Sequence, residues 1–262
     1  IFEATSTNLF LYNSSHFGSW VQGYYLMTAD TTFGQTADFW SFGKAGSDLY
    51  ANYNTIVEIS GGGPDWCNDT GDIAAWLDTG GKNYINAGDE WMGVCVDGWQ
   101  STTFATGDFV YDYLGIAASY ADYNYGAGGD EEGISRLNAV SGDTISGALH
   151  AWLAANSGST ADSMLVLNYD PNYEIGASNW LDGADAVAGT NVSYTGYSGV
   201  IDATGAVAAD AELHNVGLYT DLASGSKTAW FGFDLLSLNT SPAYSWIGVE
   251  YIGPLPQTLR WM

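Results

Sequence analysis

Thr55-Ile56-Val57-Glu58-Ile59, then Gly61-Gly62-Gly63, Ile73-Ala74-Ala75-Trp76-Leu77, Gly80-Gly81 and Tyr84-Ile85-Asn86-Ala87 follow one another between Asn54 and Glu90, and this stretch decides the fold. The first run is short, apolar and β-branched, as a buried strand is. The second apolar group recurs at helical spacing, and the glycine pair stops it. Another apolar run then ends in Gly88-Asp89-Glu90. Strand, crossover helix and strand make a βαβ unit, whose connection is right-handed and whose strands are parallel. Open α/β sheets place ligands at the carboxyl ends of their strands, and here those ends carry Asp65, Cys67, Asp89, Glu90 and Cys95.

Outward from this unit, Leu9-Phe10-Leu11-Tyr12 and Ala37-Asp38-Phe39-Trp40 read as strands, with an aromatic-rich helix between them over about 17–27. Apolar spacing predicts a helix over 104–114 and a final helix over about 244–262. Val216-Gly217-Leu218-Tyr219 and the run 228–234 read as strands. The section from Tyr120 to about Ala161 is looser, and the short strand-like runs from Met164 to Thr204, separated by Gly, Asn and Asp, read as an antiparallel insertion or a sheet edge. The expectation is one α/β domain over 1–262, built on a mostly parallel sheet flanked by helices, with 116–212 as a β-rich insertion.

Composition excludes several functions. Thirty acidic residues face five basic ones, for a formal charge of −25. Such a chain repels phosphate backbones and anionic lipid surfaces, so neither nucleic acid nor a membrane surface is an expected partner. No apolar run approaches the ~18 residues needed to span a bilayer. Charged residues make up only 13% of the chain, so much of its polar surface must be Ser, Thr, Asn and Gly beside Tyr and Trp. That balance suits an extracellular or cell-surface protein, and a chain beginning at Ile1 reads as a mature form or a piece of something larger. Sequons occur at Asn13, Asn68, Asn191 and Asn239. The chain has two cysteines. In an exported protein they suggest a disulfide, and if the strands before Cys67 and Cys95 are neighbours, their loops converge and a bridge follows.

The order of elements resembles the class I glutamine amidotransferase-like fold. The resemblance rests on Leu49-x-x-x-Tyr53-x-x-Ile56-Val57, on the helix Trp76-Leu77-Asp78-x-Gly80-Gly81-Lys82, and on the strand into Gly88-Asp89-Glu90. The run Ala229-Trp230-Phe231-Gly232-Phe233-Asp234-Leu235 is similar to that family's last strand. More narrowly, the pattern looks like the degenerate form found in large secreted bacterial proteins. Catalytic members carry a cysteine nucleophile on the turn after the second strand of this unit, with a histidine and a carboxylate on a later loop. Here that turn reads Gly88-Asp89-Glu90 without a thiol, and no His-x-Glu follows the last strand. The resemblance therefore implies the scaffold and not the amidotransferase chemistry.

Several residues remain as candidates. Asp89 and Glu90 sit where the fold places its reactive group, and paired carboxylates can act as acid and base or hold a cation. Cys95 would be a displaced nucleophile only with His150 or His214 as its base, and the bridge to Cys67 is the stronger expectation. No cofactor motif is present. The acidic run Asp130-Glu131-Glu132 offers the hard oxygens that Ca²⁺ prefers, without EF-hand spacing. Trp66, Trp91 and Trp99 flank the two cysteines and suit stacking on sugar rings or burial in a protein contact. The sequence thus points to a non-catalytic extracellular binding or structural module, whose partners are copies of itself, domains of a parent protein, or carbohydrate. The alternatives are an extracellular hydrolase using Asp89 and Glu90, and a carbohydrate-binding protein using the loop aromatics.

Overall fold

A computed structural model describes residues 6–12, 37–40, 43–60, 64–88, 90–120, 137–156, 163–164, 182–197, 213–233, 235 and 253–262. Twelve strands join one sheet within these residues. They are β1 (Asn8–Tyr12), β2 (Asp38–Trp40), β3 (Thr55–Ile59), β4 (Asn83–Ala87), β5 (Thr102–Thr103), β6 (Ile116–Tyr120), β7 (Leu137–Ala139), β8 (Ser163–Met164), β9 (Gly183–Ala186), β10 (Asn191–Tyr197), β11 (Leu213–Asp221) and β12 (Lys227–Phe231). The main path runs β2-β1-β3-β4-β12-β11-β10-β7-β8, with β9 joining β11 to β6 and β6 pairing β5.

The expected mostly parallel sheet flanked by helices is corrected here. Only the run β2-β1-β3-β4-β12 is parallel. Every pairing that involves β5 to β10, and the pairing of β11 with β12, is antiparallel, so most of the sheet's ladders are antiparallel. The physical reason lies in two places. A tight turn closes β11 onto β12, with Leu222 N–H donating to Ser226 O at 2.8 Å and Gly225 at φ 82°; a turn this short can only return the chain antiparallel. The strands within 116–212 also pair into the same sheet as the βαβ unit through β9, β10 and β11.

The βαβ unit itself forms as its sequence dictates. Helix α2 (Thr70–Asp78), which follows the short α1 (Ser47–Tyr50), is capped by Asp69, whose carboxylate accepts from the N–H of Gly71 and Asp72. Its buried residues are Ile73, Trp76 and Leu77, one face at helical spacing. Gly80 stops it in a left-handed conformation, φ 84°, where an added Cβ would stand 2.8 Å from Ser224 O. The predicted helix over 104–114 shrinks to α3 (Phe109–Asp112), and α4 (Gly147–Asn156) lies in the segment read as loose. The last helix, α5 (Pro254–Trp261), is held by Lys227, whose Nζ donates to Trp261 O at 2.5 Å and lies over that indole ring. The helix expected at 17–27 lies outside the described residues.

Alternation along the parallel strands sends side chains to two cores. Phe10, Val57, Ile59, Ile85, Ala87, Ala229 and Phe231 pack on one face with Leu149 and Leu153 of α4 and Leu255 of α5. Leu9, Leu11, Ile56, Tyr84 and Trp230 pack on the other, with Trp76 and Leu77 of α2 and with Trp91 and Met92.

Candidate functional site

β3 and β4 are parallel neighbours in register, Ile59 beside Ala87, so the chain leaves both at the same edge of the sheet. There the two following segments are joined by a disulfide between Cys67 and Cys95, with Cα atoms 5.4 Å apart. The chain has two cysteines and both are in this bond, so no thiol is left as a nucleophile and Cys95 has no catalytic role of that kind. A bridge of this sort persists in oxidising compartments. No helix among the described residues is long and apolar enough to cross a membrane.

Cys95 lies in a π-helical turn, Gly93–Asp97. Such turns are uncommon and recur at functional sites. The side chains before it, Trp91 and Met92, are 2% and 1% exposed and anchor the turn in the core. Ser119 of β6 donates to the Asp97 carboxylate at 2.6 Å and fixes its far end. Gly98 then takes the left-handed conformation, φ 65°, and Trp99 follows at φ 59°. A left-handed non-glycine residue costs on the order of 1–2 kcal/mol, so the surroundings must hold it.

The holding group is Glu90. The residue is buried at 7% exposure, and its Oε2 accepts from the Trp99 indole Nε1–H at 2.5 Å. Gly93 makes room for this contact. A Cβ there would stand 2.5 Å from Trp99 Cδ1 and 2.9 Å from Glu90 Oε2. The indole edge is thus fixed by a charge-assisted hydrogen bond while the residue stays 54% exposed.

Beneath this edge lies a buried polar seam. Glu58, 1% exposed on the central strand β3, accepts from the Tyr84 hydroxyl at 2.6 Å and from Asn68 Nδ2 at 2.9 Å. Asn68 in turn accepts from the N–H of Ala45, which ties the segment around Cys67 to β3. Asn86 Nδ2 donates to the Tyr84 oxygen at 3.3 Å. A buried carboxylate is tolerated only with such donors. Burial pushes the Tyr84 hydroxyl well above the usual phenol range, and the charge of Glu58 adds to it; Tyr50 is raised by the same two causes in the same order. Asn86 Oδ1 and Trp230 Nε1, in register on β4 and β12, are buried without hydrogen-bond partners.

The three tryptophans singled out in the sequence part company. Trp99 is exposed and Trp66 half-buried. Trp91 is a core residue, so its expected role as a ligand-binding aromatic is corrected: facing the core from the helical segment ahead of the π-turn, it offers a ligand no surface. Of the suggested carboxylate pair, Glu90 is engaged with Trp99, and Asp89 lies outside the described residues. So do Asp130, Glu131 and Glu132, the calcium candidates. Among the described residues no group of three or more His, Cys, Asp or Glu is placed to hold a metal ion. Asn68 is spent in the buried seam and Asn191 is exposed at the start of β10, while the other two sequons lie outside the described residues.

Comparison with known proteins adds little. No protein-family model matches the chain, and no curated protein matches it. Two solved structures are similar. The N-terminal domain of mmIFT52 has a TM-score of 0.44 at 10% identity, covering 88% of each chain. A ThuA-like protein from Bacteroides uniformis has a TM-score of 0.45 at 10% identity, covering 99% of this chain and 91% of its own. At these values neither carries an argument about activity.

The sequence reading missed Glu58. The available signal was a carboxylate in an otherwise apolar central strand, one alternation step from Ile56 and opposite an asparagine on the next strand.

Proposed function

We propose that this chain is a non-catalytic extracellular binding or structural module, part of a larger surface protein or of an extracellular assembly. One observation carries the reading. At the carboxyl edge of the parallel strands, where α/β sheets hold their ligands, local structure is spent on displaying Trp99: a π-turn, a glycine with no room for a Cβ, a buried carboxylate and a left-handed backbone. The disulfide supports the extracellular part of the proposal. We extend the proposal to kinship with the glutamine amidotransferase-like family, for which the order β3, α2, β4 and the placement of β12 beside β4 speak. With both cysteines in one bond, the reading assigns none of that family's thiol chemistry to this chain.

The test compares the wild-type chain with Trp99→Ala and Glu90→Gln. Sedimentation velocity over a hundredfold concentration range reads self-assembly, and a panel of chromogenic ester, glycoside and peptide substrates reads hydrolysis. Self-association weakened by Trp99→Ala in a variant that still unfolds cooperatively supports a binding or structural role. Turnover by the wild type that Glu90→Gln abolishes would establish a hydrolase and overturn the proposal.

A further inference from the structure

We infer that Trp99 is an anchor for a cationic group, an arginine or lysine side chain presented by a basic partner protein. This inference rests on the binding-module reading and names the chemistry of the partner.

Three observations lead to it. First, the indole N–H is consumed by Glu90 at 2.5 Å, so Trp99 cannot use its polar edge to recognise a ligand. What it offers is ring surface. Second, an indole donating to a carboxylate is polarised towards the ring, because the anion draws the N–H proton and leaves electron density on the π-system. Tryptophan already presents the best ring face for a cation, and this hydrogen bond strengthens it. Third, the whole chain carries a charge of −25, which attracts basic partners and raises their encounter rate.

The apolar surroundings argue for a single anchor and not a broad hydrophobic interface. Val94, Trp99 and Leu213 are the exposed large hydrophobic residues among those described, and two of them belong to this one turn. An isolated ring on a rigid, disulfide-stapled edge matches a side chain that brings its own charge. Two described lysine–tryptophan contacts show that the chain uses the same chemistry internally. Lys82 lies 5.7 Å from the ring of Trp76 and Lys227 lies 4.8 Å from that of Trp261. Both of those rings are engaged, whereas Trp99 presents its surface to solvent.

The experiment titrates the ¹⁵N-labelled full chain at about 0.15 M salt with a synthetic peptide of six arginines separated by glycines. The indole N–H signal of Trp99 is assigned as the one missing from Trp99→Phe. Cellotriose serves as the neutral comparison. We expect the peptide to shift the Trp99 signal and to bind the wild type about 2- to 5-fold more tightly than Trp99→Ala, with Trp99→Phe between them, the range expected of an exposed cation–π contact. Equal affinity for wild type and Trp99→Ala would reduce the binding to diffuse attraction and overturn the inference. A Trp99 shift with cellotriose and none with the peptide would also overturn it in favour of a sugar platform, yet leave the binding-module proposal standing. Hydrolysis lost in Glu90→Gln, by contrast, removes that proposal itself.

Discussion

Replacing both Cys67 and Cys95 by serine removes the staple across the carboxyl edge. The bond closes a loop with a sequence separation of 28 residues. In the chain-entropy description, opening a loop of that size releases the unfolded chain by about 3.6 kcal/mol at 25 °C. For a chain of this size that corresponds to a fall in Tm of roughly 7–14 °C. The folded state should survive, because the segment before the bridge is held by Trp91 and Met92 in the core and the segment around Cys67 by Asn68 on Glu58. The assay is urea unfolding of the double variant and of the wild type with and without reductant, followed by circular dichroism. Reduced wild type and double variant should coincide, at lower midpoints and with a larger m-value, since the unfolded chain expands once the loop is open. A loss below about 1 kcal/mol would refute the reasoning. So would a full loss with unchanged m, which would place the effect in native packing and not in the unfolded chain.

Three further perturbations probe the site and the seam. Tyr50, Tyr84 and Tyr194 are buried, and desolvation raises each hydroxyl above 10.0, its value in the unfolded chain. Below that pH both states keep the proton and stability is unaffected; above it the unfolded chain releases protons that the fold retains, so stability falls by roughly 4 kcal/mol per pH unit for the three together. Tyrosinate absorbance from these groups should therefore appear only as the circular dichroism signal collapses, and smooth ionisation near pH 10 in a folded protein would contradict their burial. Tyr84→Phe strips a donor from buried Glu58 and should cost about 1.5–3 kcal/mol, while the double variant with Glu58→Gln should cost clearly less than the sum of the single changes. Additive costs in urea unfolding would mean that the two side chains are not coupled. Gly93→Ala inserts a methyl 2.5 Å from Trp99 Cδ1 and 2.9 Å from Glu90 Oε2, so it should push the indole off Glu90 and cost about 1–3 kcal/mol in urea unfolding as the buried carboxylate loses that donor. The Trp99 indole N–H resonance should move upfield by NMR, and an unmoved signal would deny the close contact.

The strands of the βαβ unit were legible because each is a short apolar run closed by glycines, and β3, α2 and β4 fall where their sequence places them. The hand of the rest of the sheet was not. A strand's apolar pattern says that it is buried and nothing about which neighbour it meets, so β11 could not be assigned to an antiparallel half from its residues alone, whereas the short runs over 164–204 that include β10 read as an antiparallel insertion or a sheet edge. The signal that existed was Ala223-Ser224-Gly225 between two apolar runs, a turn too short for a crossover. The tryptophans fail for a related reason. Trp91 and Trp99 have the same composition around them, and what separates them is backbone: Trp91 faces the core from a helical segment, whereas Gly98 and Trp99 turn left-handed and swing the indole outward.

That difference bears on which features of the edge act together. A left-handed tryptophan, a glycine with no room for a Cβ, and a carboxylate buried beside an indole would each be relieved by an ordinary substitution. Trp99→Gly would relax the backbone, Glu90→Gln would remove a buried charge, and Gly93→Ala would favour the helix were the indole not in its way. None of the three helps the core, because Trp91 and Met92 already anchor the turn without them. The proposed binding role accounts for them as a set, with the exposed indole as what is held and the disulfide as what fixes its platform. The seam around Glu58 belongs to a different account: its buried carboxylate accepts from Tyr84 and Asn68 and ties β3 to the stapled segment. Changes in the seam should therefore alter stability before they alter binding, and changes at Trp99 should do the reverse.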